Sequence, residues 1–461
     1  MTNSNDRWKI FFQTFQESIS PEKLVSDALI SSEMGDAFDL LTVGKNALQM
    51  YLGGCRYHKS SLSSLVISPD YFESIPFSEK NGQQSDIVQL ELMQTANMPN
   101  MVQFKQNLHE KTVFVYSNHP IPASGSFFAG KKAIEWLEAP RDGKQLVVCI
   151  SGGTSALLAC PPDGISPEEK SFVHLLLVSS GVNITKINTV RRHLSKVKGG
   201  RLFRIASKKY SKILVLALSD VPGDSLSDIG SGPFSPDQTT YSDALDIAMS
   251  IEKFPQNSLQ YLKDGMAGKH PETLKLNEAL EYNCTLEQKV IAGSDYVTEI
   301  AGKLFSELFE KSETIFMKIP NSQSAFFAAV ERVFKTYTRN FIIIASGECE
   351  VKIPDDVKPG KGGRASHLLL ALAIELHRKQ IKFDLAVIAT DNRDGNSQQA
   401  GGFISDSDFE TFPFFAAEAI ESLTLYDSAS FLFKYDRFFS VSQKQNTGGN
   451  FADILLLRKV F

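Results

Sequence analysis

Short apolar runs rich in Val, Ile and Leu recur along the chain, and most are followed by segments whose apolar residues fall at helical spacing. FDLLTVG ends just before Lys45. SLVIS begins at Ser64, TVFVYS at Thr112, QLVVCI at Gln145 and KILVLALS at Lys212. Later come KVIAG from Lys289, TIFMKI from Thr314, FIIIASG from Phe341, DLAVIAT from Asp384 and DILLLRK from Asp453. Each is strand-sized and β-rich. FFAGKKAIEWLE, EEKSFVHLLLVSSG and HLLLALAIELHRKQ read as helices between them. Alternation of this kind predicts an α/β fold with mostly parallel sheets covered by helices on both faces. In such sheets ligands gather beyond the carboxyl ends of the strands. The stretch from Phe254 to Gln288 is polar and lacks a strand signal, which predicts two domains, 1–283 and 284–461. A second break, VKIPDDVKPGKGGR, is rich in Pro, Gly and Lys.

The clearest chemistry follows the fourth predicted strand, in LVVCISGGTSALL. An apolar run stops at Ser151-Gly152-Gly153-Thr154-Ser155 and a new apolar run begins. This is the pattern of a strand, a glycine turn and a helix start, where unpartnered backbone N–H groups meet the positive end of the helix dipole. A phosphate or a carboxylate is the natural guest, although ordinary strand–helix turns use the same residues.

Other loops at strand ends carry further candidates. Gly44 permits a turn that sets Lys45 at the mouth of the sheet, where an ammonium can meet an anionic oxygen or simply be solvated. His119, before Pro120 and Pro122, reads as a loop histidine as readily as a hydrogen-bond donor. In INTVRRHLSKVKGGRLFRIA, helical spacing places Asn188, Arg191, Arg192 and Ser195 on one face, with Gly199-Gly200 ending the helix. Asp220 and Asp224 flank a Pro-Gly turn. They suit Mg²⁺ held largely through water, or a base for a substrate hydroxyl, or plain turn capping. In the second half, GKGGRASH sets Arg364 after two glycines. IATDNRDGNSQQAGG sets Asp391 and Asp394 after a strand, and NTGGNFADILLL closes the series.

Composition narrows the partners. The chain has 461 residues, 42% hydrophobic and 22% charged, with a net charge of −5. That is ordinary for a soluble globular protein and predicts no nucleic-acid partner. No apolar stretch is long enough to span a bilayer, and the N-terminus has no signal-peptide core, so no membrane partner is expected. Five scattered cysteines without a C-x-x-C pair suit a reducing cytoplasm and exclude zinc spacing. The oligomeric state is not legible, and a homodimer stays open.

VGKNA, NHPIP, SGGTSALL, NTVRRHLSKVKGGRL, SDVPGD and SGP followed by Pro236-Asp237 occur in an ordered set that resembles glycerate 2-kinases of the two-domain, MOFRL type. The resemblance runs from about Val43 to near Leu455. It implies a Rossmann-like first domain, a MOFRL-type second domain and an active site in the cleft between them. It also implies ATP-dependent phosphorylation of D-glycerate at the 2-hydroxyl, with Mg²⁺, giving 2-phosphoglycerate and ADP. Carried over by motif, Lys45, Arg364 and Asp220 are the catalytic candidates. Ser151, Gly152, Gly153, Ser155, Asn188 and Arg191 are candidates for binding substrate or phosphate, and Asp220 and Asp391 for the metal. The family's G-R-N-Q-E stands here as Gly363-Arg364-Ala365-Ser366-His367. Its G-T-D-G-x-D-G stands as Ala389-Thr390-Asp391-Asn392-Arg393-Asp394-Gly395, and its G-T-N as Gly448-Gly449-Asn450. A binding sensor derived from the family is the alternative. An NAD(P)-dependent hydroxypyruvate reductase, a label this family has carried, fits poorly because no G-x-G-x-x-G fingerprint follows a strand.

Overall fold

A computed structural model describes residues 4–35, 37–57, 63–69, 74–76, 87–89, 101–103, 112–140, 144–221, 223–309, 312–337, 339–441, 449 and 451–459. Pro222 of SDVPGD, and Gly448 and Asn450 of the last glycine turn, lie outside the described residues. The chain divides into two compact units, Pro21–Ile291 and Met1–Ser20 with Ala292–Phe461. Helix Ser4–Ser18 belongs to the second unit, where Trp8 packs at a tilt against Phe305 and Phe309 and stacks on Phe403. No helix among the described residues is long and apolar enough to cross a membrane.

The first unit contains β1 (Asp39–Val43), β2 (Ser64–Ser68), β3 (Ser74–Pro76), β4 (Ile87–Gln89), β5 (Met101–Gln103), β6 (Thr112–Tyr116), β7 (Gln145–Ile150), β8 (Lys212–Leu218) and β9 (Thr285–Ala292). Seven of these form one sheet in the order β5-β6-β2-β1-β7-β8-β9, while β3 and β4 pair by themselves. The pairs β6–β2, β2–β1, β1–β7 and β7–β8 are parallel. The central strands are buried along their length, which is why they read as unbroken apolar runs. At the edge, β9 mixes exposed and half-buried positions, and its TLEQ start gave no strand signal. From β1 the chain adds strands to one side, then crosses back to lay β7 on the other. The switch point of the sheet therefore lies between β1 and β7, where an open α/β sheet places its ligand crevice.

Helices Pro167–Ser179, Ile184–His193, Tyr241–Met249 and Gln256–Met266 pack into a separate core around Val173, Leu177, Val190, Tyr241 and Leu262. The basic helix is shorter than its sequence pattern predicts. It stops at His193 with Leu194 as its cap. The Ser195 hydroxyl accepts a bond from the Val197 N–H, and the Lys196 N–H turns to the Cys160 carbonyl. This local bond competes with the helix, so Ser195 leaves the face that carries Asn188 and Arg191. Gly199 and Gly200, both at positive φ, instead lead into helix Arg201–Ala206.

The second unit contains β10 (Glu313–Ile319), β11 (Phe341–Gly347), β12 (Phe383–Ala389), β13 (Gln399–Ser405), β14 (Phe438–Ser440) and β15 (Asp453–Lys459). The order is β10-β11-β15-β12-β13-β14. Here the expectation of a mostly parallel sheet is corrected. Only β10–β11 is parallel, and the β11–β15, β15–β12, β12–β13 and β13–β14 pairs are antiparallel. No helix separates β12 from β13, and a parallel return needs a crossover that this connection lacks. The sheet is still flanked by helices and remains α/β. β13 itself escaped the sequence pattern because it carries Gly401 and Gly402. A β-carbon on either would meet a carbonyl oxygen, that of Val387 at 2.1 Å or of Arg437 at 2.2 Å. Close backbone approach, rather than strand propensity, sets those residues.

Candidate active site

The turns that follow β1 and β7 are locked together at the switch point. Val43 and Ile150 are register partners, and the Ser151 N–H donates to the Val43 carbonyl at 3.0 Å. The Lys45 N–H donates to the Gly152 carbonyl at 2.9 Å, and the Asn46 N–H to Ser151 Oγ at 3.1 Å. Gly44 is required here: its φ is +129°, and a β-carbon would lie 2.1 Å from Ser151 Oγ. Gly153, at φ +84°, is required for the same reason, and the space a side chain would fill is bounded by the His119 ring and Lys45 Cγ. Above Gly152 lies the carboxylate of Asp220. Lys45, His119, Asp220 and the 151–153 turn thus surround one spot at the carboxyl edge of the sheet. Burial, and then the Lys45 ammonium, push the His119 pKa down, so the ring is neutral at physiological pH.

The helix that follows the turn is a single turn, Thr154–Leu157. Its dipole is correspondingly small, and the expected helix-terminus anion site reduces to the backbone and side chains of the turn itself. Lys198 donates to the carbonyls of Ser155 at 2.8 Å and Leu158 at 3.1 Å, closing that short helix. The Ser155 hydroxyl lies 2.9 Å from that of Ser231, which donates to Asn188 Oδ1 at 3.1 Å. The Asn188 amide then donates to Asp228 Oδ1 at 3.1 Å. Arg192 grips Asp228 at 2.5 Å and Asp237 at 2.7 Å. Asn188 is buried, and its amide oxygen and nitrogen are both used inside this network. Arg191 stands apart from it, one turn nearer to helix Pro167–Ser179, with Nη2 donating to His174 Nδ1 at 3.3 Å. Sequence reasoning passed over His174 and Lys170. They sit four residues apart on the inward face of that helix, within a run otherwise read as packing.

In the second unit a cleft of about 550 Å³ opens at the carboxyl ends of β11 and β12. Its wall includes Arg364, His367, Asp391, Tyr426 and Asp453. Because β15 runs against both neighbours, its first residue, Asp453, pairs in register with Gly347 and with Ala389. Asp453 went unnoticed in the sequence, where it opens an apolar run. Arg364 begins helix Arg364–Arg378, and its Nη1 donates to Glu348 at 2.5 Å, with Nε 3.7 Å from Asp453. Burial raises the Asp453 pKa to about 8 despite Arg364, with Asp394, Glu348 and Asp391 adding to the rise. Asp394, although it also lines the cleft, serves as a cap of that helix. Its carboxylate accepts from the N–H groups of Gly363 at 3.1 Å, Ala365 at 2.9 Å and Ser366 at 3.0 Å. Of the residues that replace the family's N-Q-E, Ala365 and Ser366 are buried, and only His367 lines the cleft, stacked on Tyr426 with centroids 5.6 Å apart.

Among the described residues no group of three or more His, Cys, Asp and Glu side chains could hold a metal ion unaided. Exposed Asp220 and half-buried Asp391 do fit a magnesium that arrives on a polyphosphate, which needs one or two carboxylates and otherwise keeps its waters. Each unit therefore presents cationic and carboxylate side chains together at the carboxyl edge of its sheet, a set suited to neutralising and aligning a phosphoryl group.

Comparison with known proteins agrees with this chemistry. The family model described as a domain of unknown function, DUF4147, matches residues 9–263, and the MOFRL family model matches residues 341–453. A glycerate 2-kinase of Pyrococcus horikoshii is 31% identical over 305 residues, spanning 64% of this chain and 67% of that protein. A D-glycerate 2-kinase of Thermotoga maritima is 29% identical over 348 residues, 74% of this chain and 78% of that one. The crystal structure of a glycerate kinase from Thermotoga maritima shares the fold, with a TM-score of 0.75, 24% identity and 99% of both chains covered.

Proposed function

The chain belongs to the glycerate 2-kinase family, a DUF4147 domain joined to a MOFRL domain, and on that premise we propose how its residues phosphorylate D-glycerate at the 2-hydroxyl to give 2-phosphoglycerate and ADP. The observation that carries the assignment of roles is the gathering of Lys45, His119 and Asp220 around the glycine turn at the switch point. The attacking oxygen is the 2-hydroxyl of glycerate. As its bond to the γ-phosphorus forms, the bond from that phosphorus to the bridging oxygen of ADP breaks, and the hydroxyl proton passes to Asp220. Lys45 and neutral His119 donate hydrogen bonds to the transferring phosphoryl oxygens, together with the N–H groups of Gly152, Gly153 and Ser155. Arg364, fixed in direction by Glu348 and Asp453, is the catalytic cation of the second unit's own cleft. Asp391 would hold the Mg²⁺ of the nucleotide, which supplies charge neutralisation on the β- and γ-phosphates. Five unpaired cysteines accord with work in the reducing cytoplasm.

The test is direct. Purified protein with ATP, Mg²⁺ and D-glycerate should release ADP only when glycerate is present, and phosphorus NMR should place the new ester on carbon 2. ADP release without dependence on glycerate, or oxidation of NADH with hydroxypyruvate, would overturn the assignment.

A further inference from the structure

Behind the glycine turn of the first unit lies a small cavity of about 10 Å³, room for one water-sized particle. Pro122, Val173 and Leu177 form an apolar wall. Lys170, Arg191, Lys198 and His174 also line the cavity. Arg191 is 8% exposed, Lys170 4% and Lys198 1%. Among the described residues no aspartate or glutamate lines the space. Three buried cations facing one cavity without a carboxylate are costly, because each repels the others in a medium that screens poorly.

Protein atoms satisfy these groups only in part. Lys170 donates to the Leu194 carbonyl at 2.7 Å, which closes helix Ile184–His193, and Lys198 donates to the two carbonyls already described. An ammonium has three N–H groups, so at least one remains on each. Arg191 uses Nη2 on His174, and its Nε is buried without a partner. The His174 nitrogen that faces Arg191 must be an acceptor, so the ring is neutral. Burial, then Arg191, Lys170 and Lys198, hold its pKa at about 3. Burial also draws Lys170 down to about 7 and Lys198 well below its ordinary range. An anion in the cavity would offset these losses for all three cations at once.

We infer that this cavity is a binding site for one small monoanion, held by Arg191 Nε and the remaining N–H groups of Lys170 and Lys198. Its size excludes sulfate and phosphate. The apolar residues favour a weakly hydrated guest, either a halide from solution or one carboxylate oxygen of a short acid entering beside Ser155. The inference does not depend on the kinase assignment, since the site is defined without nucleotide or turnover.

The experiment is thermal unfolding of the full chain without nucleotide, with sodium chloride replacing sodium gluconate at constant ionic strength. A second series adds D-glycerate at each chloride concentration. Chloride should raise the midpoint by about 2–4 °C over a few hundred millimolar. Lys170→Met and Lys198→Met should each abolish the rise. If glycerate stabilises less as chloride increases, the acid's carboxylate shares the site. If the two effects add, the halide alone occupies it. Both results uphold a monoanion site. A midpoint that responds neither to chloride nor, in gluconate, to glycerate overturns it, and this needs no variant to fold. A rise that persists unchanged in both lysine variants overturns it as well.

Discussion

Asp220 rests on Gly152: a β-carbon at position 152 would stand 2.3 Å from Asp220 Oδ2. The backbone of Gly152 is not at positive φ, so the residue is small to admit the carboxylate rather than to permit the turn. Gly152→Ala should therefore leave the fold intact and push Asp220 aside. We expect kcat for glycerate phosphorylation to fall roughly 10–100-fold, the range of a displaced general base. The double variant with Asp220→Ala should be little slower than Asp220→Ala alone. A full additive loss would show that Gly152 acts by another route.

Lys45 holds its turn through the backbone, by the N–H bond to Gly152 at 2.9 Å, and its side chain is free to serve chemistry. Lys45→Ala should lower kcat by about 10³-fold, as loss of a charge aimed at the transferring phosphoryl would. Its unfolding midpoint should stay near that of the unaltered chain. Retention of most turnover would remove Lys45 from the mechanism.

Asp394 closes helix Arg364–Arg378 with three backbone bonds, while Arg364 starts the same helix. Asp394→Ala should cost about 2 kcal/mol of stability in denaturant titration, because a charged cap and its buried donors are lost together. It should also lower turnover, since the cap sets where Arg364 begins. A stability change without an activity change would separate the cap from the catalytic arginine.

Acid should weaken the first unit in a defined range. Burial pushes Glu272 up, but His193, the Tyr241 N–H and Lys275 outweigh it and hold it at about 2. Asp237, likewise buried, is held low by Arg192 and Thr239. For an acid depressed on folding, the unfolded chain binds more protons below its ordinary pKa. The contribution is complete above about pH 4.5 and is lost as pH falls toward 2. Urea unfolding between those limits should show a shallower decline in Glu272→Gln than in the unaltered chain.

All ten strands expected from apolar runs are present, most of them because a strand buried on both faces must be apolar along its length. The glycine turn, Lys45 and Asp220 were legible for a related reason: each stands where such a run stops. The second sheet's direction was not legible, because β15 pairs with strands distant in sequence and its own composition is the same in either orientation. Lys170 and His174 were hidden within an amphipathic pattern whose inward positions also hold Val173 and Leu177. The role of Asp394 is not legible in its loop, and only its three N–H partners identify it as a cap.

The placing of β15 between β11 and β12 has a consequence for biogenesis. On the ribosome, β11 and β12 emerge without a common neighbour, and helix Ser4–Ser18 emerges long before the surface that receives it. The unit spanning Pro21–Ile291 can mature while synthesis continues. The other cannot close its sheet, or cover helix Ser4–Ser18, until β15 has emerged, so its apolar faces stay uncovered for longer during synthesis.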